Sequence, residues 1–376
     1  MFVVPTPAET TKPVTPTEEA LVVAIGPGGN IGSSLWPHLA RMPGVGAVRL
    51  IDRDHYESSN FSSQNIMPGD VGRAKARAVA ARMSVINPAL AVEAIVARVE
   101  DVPLGMLRAD VVLTCLDSRG ARSYVNEVVR RLGVAWWVDA GVERNDLLAR
   151  VTVYRPDSPC YECSWGDADY ELLDQEYPCG GPAPTDAPSA LGALAASLQA
   201  LELHKILAGE WAETAAGKQI TISAAHHTHY VTSLHLNPDC RCPHDAWTIE
   251  PLDATPDQIT IGEALGLGEA RAGSTGGGGL RVSGKSFIRR MRCRPCGRWR
   301  SELCLDGRLS PQQRTCDRCG EALVVGGFDR IERLDPDVLG PADFARSLRS
   351  VGFQPGDVFT IERGGHEGHY EIGGAS

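Results

Sequence analysis

Leu21-Val22-Val23-Ala24-Ile25-Gly26-Pro27-Gly28-Gly29-Asn30-Ile31-Gly32 runs from an unbroken apolar stretch of strand length straight into a glycine turn. Leu35, Leu39 and Met42 follow at helical spacing and stop at Gly44. Val48-Arg49-Leu50-Ile51 then reads as a second strand ending on Asp52, with Asp54 just behind it. Strand, glycine turn, helix, strand and acid in this order are the parts of a nucleotide-binding βαβ unit. Gly26, Gly28, Gly29 and Gly32 let backbone N–H groups approach phosphates, the helix start adds positive dipole, and Asp52 can accept from ribose hydroxyls. A purely structural turn is the alternative.

The pattern continues outward. Lys75 opens a helix running through Ala80 and Met83, although a lone lysine at a helix start is usually solvated. Residues 92–96 resemble a third strand and residues 109–116 a fourth, which ends on Asp117. Arg122 and Asn126 lie one turn apart on the next helix, so both can face a cleft that Asp117 also borders. Residues 134–138 keep the alternation, which favours a parallel sheet with crossover helices. Residues 149–154 extend that sheet, where its connections turn antiparallel. The expected fold class is α/β: a Rossmann-like mixed, mainly parallel sheet with flanking helices, plus a C-terminal module containing a zinc ribbon. Ligands of such sheets sit beyond the carboxyl ends of the strands, where Asp52 and Asp117 both fall. A ribose acceptor and a Mg²⁺ ligand need those places; two capping acids are the alternative.

The chain has 376 residues, 43% apolar and 22% charged, enough for two or more domains with their own cores. A net charge of −10 argues against wholesale attraction to nucleic acid or anionic membrane. No apolar run reaches membrane-spanning length and no secretory start is present. Eleven cysteines without an export signal point to the cytoplasm, where paired thiols hold zinc or do chemistry more often than they form disulfides. The expected division is a Pro/Thr-rich tail over 1–20, a sheet domain over 21–248, a glycine-rich linker over 249–284, and a small module over 285–376.

The cysteines fall into sets. Cys160 and Cys163 pair with Cys240 and Cys242 as a closed, structural zinc site. The second knuckle is one residue short of the usual spacing, and His244 can replace one cysteine. Cys293, Cys296, Cys316 and Cys319 have zinc-ribbon spacing, the sharpest local signal in the chain. Arginines surround the first of these knuckles with few aromatics between them, which favours a protein-docking or structural role over nucleic acid. Cys179 lies in an acidic, Gly/Pro-rich loop over 165–188, ahead of a helix over 189–207 whose Leu191, Leu194, Leu198 and Leu201 form an apolar stripe. A cysteine so placed is accessible, and nearby amide dipoles favour its thiolate; a free surface thiol is the alternative. Residues 341–350 read as a further helix.

Taken together, these residues resemble the ubiquitin-activating-type adenylyltransferases, including the ThiF, MoeB and HesA proteins of prokaryotes. The likeness spans about 21–244. The glycine turn resembles the family's phosphate loop, one residue longer here between Gly28 and Gly32. Asp52 and Asp54 fit its paired acids, and Ser59-Asn60-Phe61 with Gln64 fits its Ser-Asn-Leu-x-Arg-Gln loop. Lys75 fits the lysine that reaches the phosphates, and Asp117 with Arg122 fits an Asp-Asn-x-x-x-Arg element whose acid serves Mg²⁺ and ATP. Cys179 falls in the crossover-loop region where thioester-forming members keep their nucleophile, though farther from the following helix. Two positions depart: the loop arginine is Ser63, and Ser118 stands where Asn is usual.

The resemblance implies ATP-dependent adenylation of the C-terminal glycine of a ubiquitin-like protein, then a thioester on Cys179 and transfer to a conjugating enzyme. Lys75, Asp117, Arg122 and Cys179 are its catalytic candidates, and Asp54, Asn60 and Gln64 join the nucleotide contacts. A variant ends at adenylation and serves a sulfur-carrier protein. ATP, Mg²⁺ and two structural Zn²⁺ ions are the implied cofactors, and a homodimer is the oligomeric expectation. Two readings of other classes stand beside it. A nicotinamide-dependent dehydrogenase can share the βαβ start, but Ile31 stands where its third glycine should fall. A catalytically inactive zinc-ribbon adaptor is favoured by the serine at position 63.

Overall fold

The computed structural model describes residues 19–174, 187–267 and 278–373. Among them no helix is long and apolar enough to cross a membrane. They divide into two compact units, one within 1–100 and 107–246, the other within 101–106 and 247–376.

The first unit is built on an eight-stranded sheet. Its strands are β1 (Ala20–Ile25), β2 (Val45–Ile51), β3 (Ala91–Ile95), β4 (Val111–Thr114), β5 (Trp136–Glu143), β6 (Leu148–Tyr154), β7 (Lys218–Ser223) and β8 (Thr228–Ser233). Their order is β3-β2-β1-β4-β5-β6-β7-β8. The strands from β3 through β5 are parallel, and those from β5 onward pair antiparallel. The mixed, mainly parallel sheet expected from the sequence is present. Apolar side chains fill both faces of β1 and β4, as covered parallel strands require. Strand order reverses direction between β1 and β4, so the carboxyl ends of these two strands form the switch-point crevice.

Helices α1 (Gly32–Leu39), α2 (Lys75–Ile86), α3 (Arg119–Arg131), α4 (Asp167–Asp174) and α5 (Ser189–Leu207) accompany the sheet. The apolar stripe expected on α5 is shifted. Leu201 is 57% exposed, while Leu191, Gly192, Ala195, Ala196, Gln199, Leu203 and Ile206 are buried. Small side chains win this face because the glycine turn ahead of α1 approaches closely there: a Cβ on Gly192 would stand 1.8 Å from Asn30 Oδ1. Cys179 lies outside the described residues.

The second unit carries a five-stranded sheet of β9 (Ile249–Leu252), β10 (Gly279–Val282), β15 (Arg333–Leu334), β16 (Val358–Arg363) and β17 (His366–Ile372). Its core gathers Ile261, Leu265, Leu280, Phe287, Phe353, Phe359 and Tyr370. Part of the stretch expected as a linker is therefore folded, since β9 joins this sheet and α6 (Ile261–Gly266) buries Ile261, Ala264 and Leu265. A smaller sheet of β11 (Phe287–Cys293), β12 (Trp299–Leu305), β13 (Leu323–Val325) and β14 (Arg330–Ile331) carries the ribbon cysteines. The helix expected over 341–350 shortens to α7 (Pro341–Phe344), followed by a single 3₁₀ turn, Leu348–Val351.

Candidate active site and metal centres

A cavity of 430 Å³ opens over the carboxyl ends of β1, β2 and β4. Gly26, Gly29, Asp52, Asp54, Asn60, Gln64, Lys75, Asp117 and Arg122 all line it. The structure thus brings together, from five separate segments, most of the residues the sequence singled out.

The glycine turn explains its own composition at two points. A Cβ on Gly28 would stand 2.4 Å from the Lys75 side chain, and one on Gly32 would stand 2.2 Å from the Gly26 carbonyl oxygen. Only bare backbone lets the lysine stem lie against the turn and lets the turn close on α1. Asp52 fixes the turn from β2. Its carboxylate accepts from the Gly28 amide at 3.1 Å and from the Asp54 amide at 3.0 Å. Burial raises the Asp52 carboxyl above its ordinary value, against the opposing pull of the Asp54 amide and the Lys75 charge.

Lys75 reaches the site because the loop after β2 is stitched to the start of α2. The Lys75 amide donates to the Asp54 carbonyl at 2.8 Å, and the Tyr56 amide donates to the Arg73 carbonyl at 2.9 Å. The ammonium stands 3.7 Å from Asp54 Oδ2, with a side chain only 8% exposed. Asp70 is buried and paired with Arg82, which steadies the same loop. Asn60 has a capping task, since its Oδ1 accepts from the Glu57 amide at 2.9 Å. Gln64 presents a buried Oε1 with no partner among the described residues, and so does Asn30 with its Oδ1.

Asp117 and Arg122 differ sharply. Asp117 is exposed at the cavity, one residue before Ser118, whose Oγ caps α3 by accepting from the Ala121 amide. Arg122 is buried, and its Nε–H donates to Asp139 Oδ1 at 3.0 Å. Its Nη2 donates to the Ala140 carbonyl at 3.1 Å and also to the Leu116 carbonyl. Arg122 therefore holds the turn that carries Asp117. Gln199 supports the same floor from α5 by donating to the Thr114 and Val138 carbonyls at 3.1 and 2.8 Å. Arg150 and the wall at 97–100 line the cavity, while Asp139 and Gln199 support it through Arg122 and the strand-end carbonyls; none is legible in the sequence, because each arrives through contacts distant along the chain.

The described residues also hold two groups of metal-ligand atoms. Cys160, Cys163, Cys240 and His244 form one, Cys293, Cys296, Cys316 and Cys319 the other; within each, the atoms lie within 4.8 Å of one another. Tetrahedral zinc with Zn–S bonds of about 2.3 Å sets S···S edges of roughly 3.8 Å. The first group shows 3.7 Å for Cys163–Cys160, 3.6 Å for Cys160–Cys240 and 3.6 Å from Cys163 to His244 Nε2. The second shows 3.3 Å for Cys293–Cys319 and 3.6 Å for Cys296–Cys316. Both donor sets fit zinc. Cys242 packs against the first group and is foremost among the neighbours that hold the Cys160 thiol well below its usual value. His244 thus completes the mutually close set, with Cys242 beside it.

Residues 17–244 match the sequence model of the ThiF family. The SAMP-activating enzyme E1 of Haloferax volcanii is 32% identical over 226 residues, covering 58% of this chain and 78% of that protein. The molybdopterin-synthase adenylyltransferase of Escherichia coli is 29% identical over 229 residues, covering 59% of this chain and 86% of that protein. Among solved structures, E. coli MccB with succinimide superposes with a TM-score of 0.50 at 24% identity, over 60% of this chain and 67% of that one, a likeness of fold. The family match ends at residue 244, just before 247–376, the larger segment of the second unit.

Proposed function

The chain belongs to the ThiF family, and on that premise we propose that it uses ATP to adenylate the C-terminal glycine carboxylate of a ubiquitin-like or sulfur-carrier protein. One observation carries the reading: Asp52, Lys75, the glycine turn and Asp117 converge on one cavity at the switch point of the sheet. Asp52 and its neighbours would hold the ribose, and the turn amides with Lys75 the phosphates. Asp117, with no hydrogen bond or ion pair among the described residues, would hold a divalent cation, which supplies charge neutralisation at the leaving pyrophosphate. The orphaned oxygens of Asn30 and Gln64 are further acceptors at the same cavity.

The carboxylate oxygen attacks the α-phosphorus in line. The bond from that phosphorus to the bridging oxygen breaks, and pyrophosphate leaves with the electron pair. No protein base is needed, because a carboxyl of ordinary acidity is ionised near pH 7. Catalysis is then positioning and charge neutralisation.

A thioester on Cys179 is the step proposed next: its thiolate attacks the acyl carbon and AMP departs. A conjugating enzyme is then the proposed acceptor. Transfer of sulfur to the adenylate is the second reading, favoured by the state of the other thiols. Burial pushes Cys115 up and Cys304 to about 11, and the remaining described cysteines lie in or against the metal groups. A thioester on this chain therefore rests on Cys179.

Carrier-dependent ATP–pyrophosphate exchange tests the adenylation, using candidate carriers that end in Gly-Gly. Exchange dependent on a free C-terminus supports it; no exchange with any such carrier sinks it. Cys179→Ala should retain exchange and lose a thiol-sensitive adduct, and an adduct that persists removes Cys179 from the pathway.

A further inference from the structure

We infer that Arg150 forms a subsite for a terminal carboxylate at the end of the cavity away from Asp52, an assignment that rests on the adenylation reading. Strand register puts it there. Thr114, the last residue of β4, pairs with Asp139 on β5, and Gly141, two residues farther on, pairs with Arg150 on β6. Arg150 therefore stands beyond the carboxyl end of β4, on the ligand side of the sheet, and it lines the cavity. The order β2-β1-β4-β5-β6 separates it from Asp52 by four strand spacings, roughly 19 Å of backbone. It is two strands past the one that leads to Asp117.

Gly141 makes the placement possible. A Cβ there would stand 2.5 Å from Arg150 Nε and 3.3 Å from its Cζ, so the guanidinium group lies across the β5 backbone. Arg122, the other arginine in this part of the cavity, is committed to Asp139 and two carbonyls. Arg150 is half-buried, and its side chain has no hydrogen bond or ion pair among the described residues. A partly desolvated guanidinium that faces the cavity with no carboxylate paired to it suits a planar anion that it can grip with two parallel N–H donors. The glycine turn and Lys75 already meet the triphosphate near β1. The anion left for Arg150 is the incoming peptide carboxylate, which must be held beside the α-phosphorus with a lone pair of one oxygen free to attack.

The test uses the full chain loaded with a non-hydrolysable ATP analogue and a hexapeptide ending in Gly-Gly, as free carboxylate and as C-terminal amide. Calorimetry should show the carboxylate bound about tenfold or more tightly than the amide, in keeping with a charged hydrogen bond. In Arg150→Ala that preference should fall to within about twofold, with affinity for the ATP analogue within about twofold of wild type. Arg150→Lys should keep part of the preference. Gly141→Ala, which keeps the arginine in the chain but pushes its guanidinium aside, should weaken carboxylate binding in the same direction. A wild-type protein indifferent to amidation overturns the subsite. So does an Arg150→Ala variant that loses the ATP analogue instead, which assigns the arginine to a phosphate. Arg150-dependent carboxylate preference without pyrophosphate exchange keeps the subsite and removes the adenylation reading.

Discussion

Arg122 Nε lies 3.0 Å from Asp139 Oδ1, with side chains 7% and 3% exposed, directly beneath the turn that carries Asp117. The pair is enclosed by β4, β5 and α3. Removing one member leaves the other as an uncompensated buried charge, a loss of about 3–5 kcal/mol. Arg122→Ala should therefore lower Tm strongly as well as activity, and Arg122→Lys should not restore it, because lysine lacks the fork that reaches Asp139 and two carbonyls together. Thermal melts beside exchange assays check this. An Arg122→Ala protein of wild-type Tm that had lost only exchange would make the arginine a direct participant in chemistry.

Asp52 makes the opposite kind of prediction. Burial raises its carboxyl in the folded state, so folding favours the protonated form. Its contribution is full below the ordinary carboxyl range and is lost as pH rises through the elevated folded value. Asp52→Asn should match wild type in acid and melt higher at pH 7 in the absence of nucleotide. Its nucleotide affinity should fall about tenfold or more, the loss of a charged acceptor. Melting curves across pH 4 to 8 decide it, and a variant less stable than wild type at pH 7 contradicts the argument.

Asp117 is exposed and carries no structural bond among the described residues. Asp117→Ala should leave stability within about 0.5 kcal/mol of wild type. Exchange should drop by about 10²–10³-fold, the scale of removing one preorganised electrostatic group. Full exchange in this variant places the cation elsewhere.

Zinc content separates His244 from Cys242. Two ions per chain are expected by elemental analysis, one for each group of donors. His244→Ala should release one, whereas Cys242→Ala should keep both. The reverse result makes Cys242 the ligand. Prolonged chelation should lower the stability of both units, because metal binding of this kind is folding free energy.

What the sequence made legible was local. The glycine turn, the acids at the ends of β2 and β4 and the lysine at the head of α2 each follow from a few adjacent residues. Those that were missed depend on contacts distant in sequence. Asp139 meets Arg122 only because β5 pairs with β4, and Arg150 reaches the cavity only because an antiparallel register sets it against a glycine. The stripe on α5 was misplaced for a related reason. Its leucines are the more hydrophobic side chains, but close approach to the turn ahead of α1 selects Gly192, with buried alanines around it. The folded part of the expected linker was hidden by its neighbouring run of glycines, although Ile261, Ala264 and Leu265 carry helical spacing.

Six residues of the β3-to-β4 connection belong to the second unit: the Gly105 amide donates to the Gly356 carbonyl at 2.8 Å, and a Cβ on Gly105 would collide with Glu371. The polypeptide therefore passes from one unit to the other three times, at 100/101, 106/107 and 246/247. No single cleavage can free an intact piece of either. Expression of 1–246 alone would strand that hexapeptide without its sheet, immediately after the wall of the cavity at 97–100, so engineers who want a minimal enzyme must redesign the crossover and not merely shorten the gene.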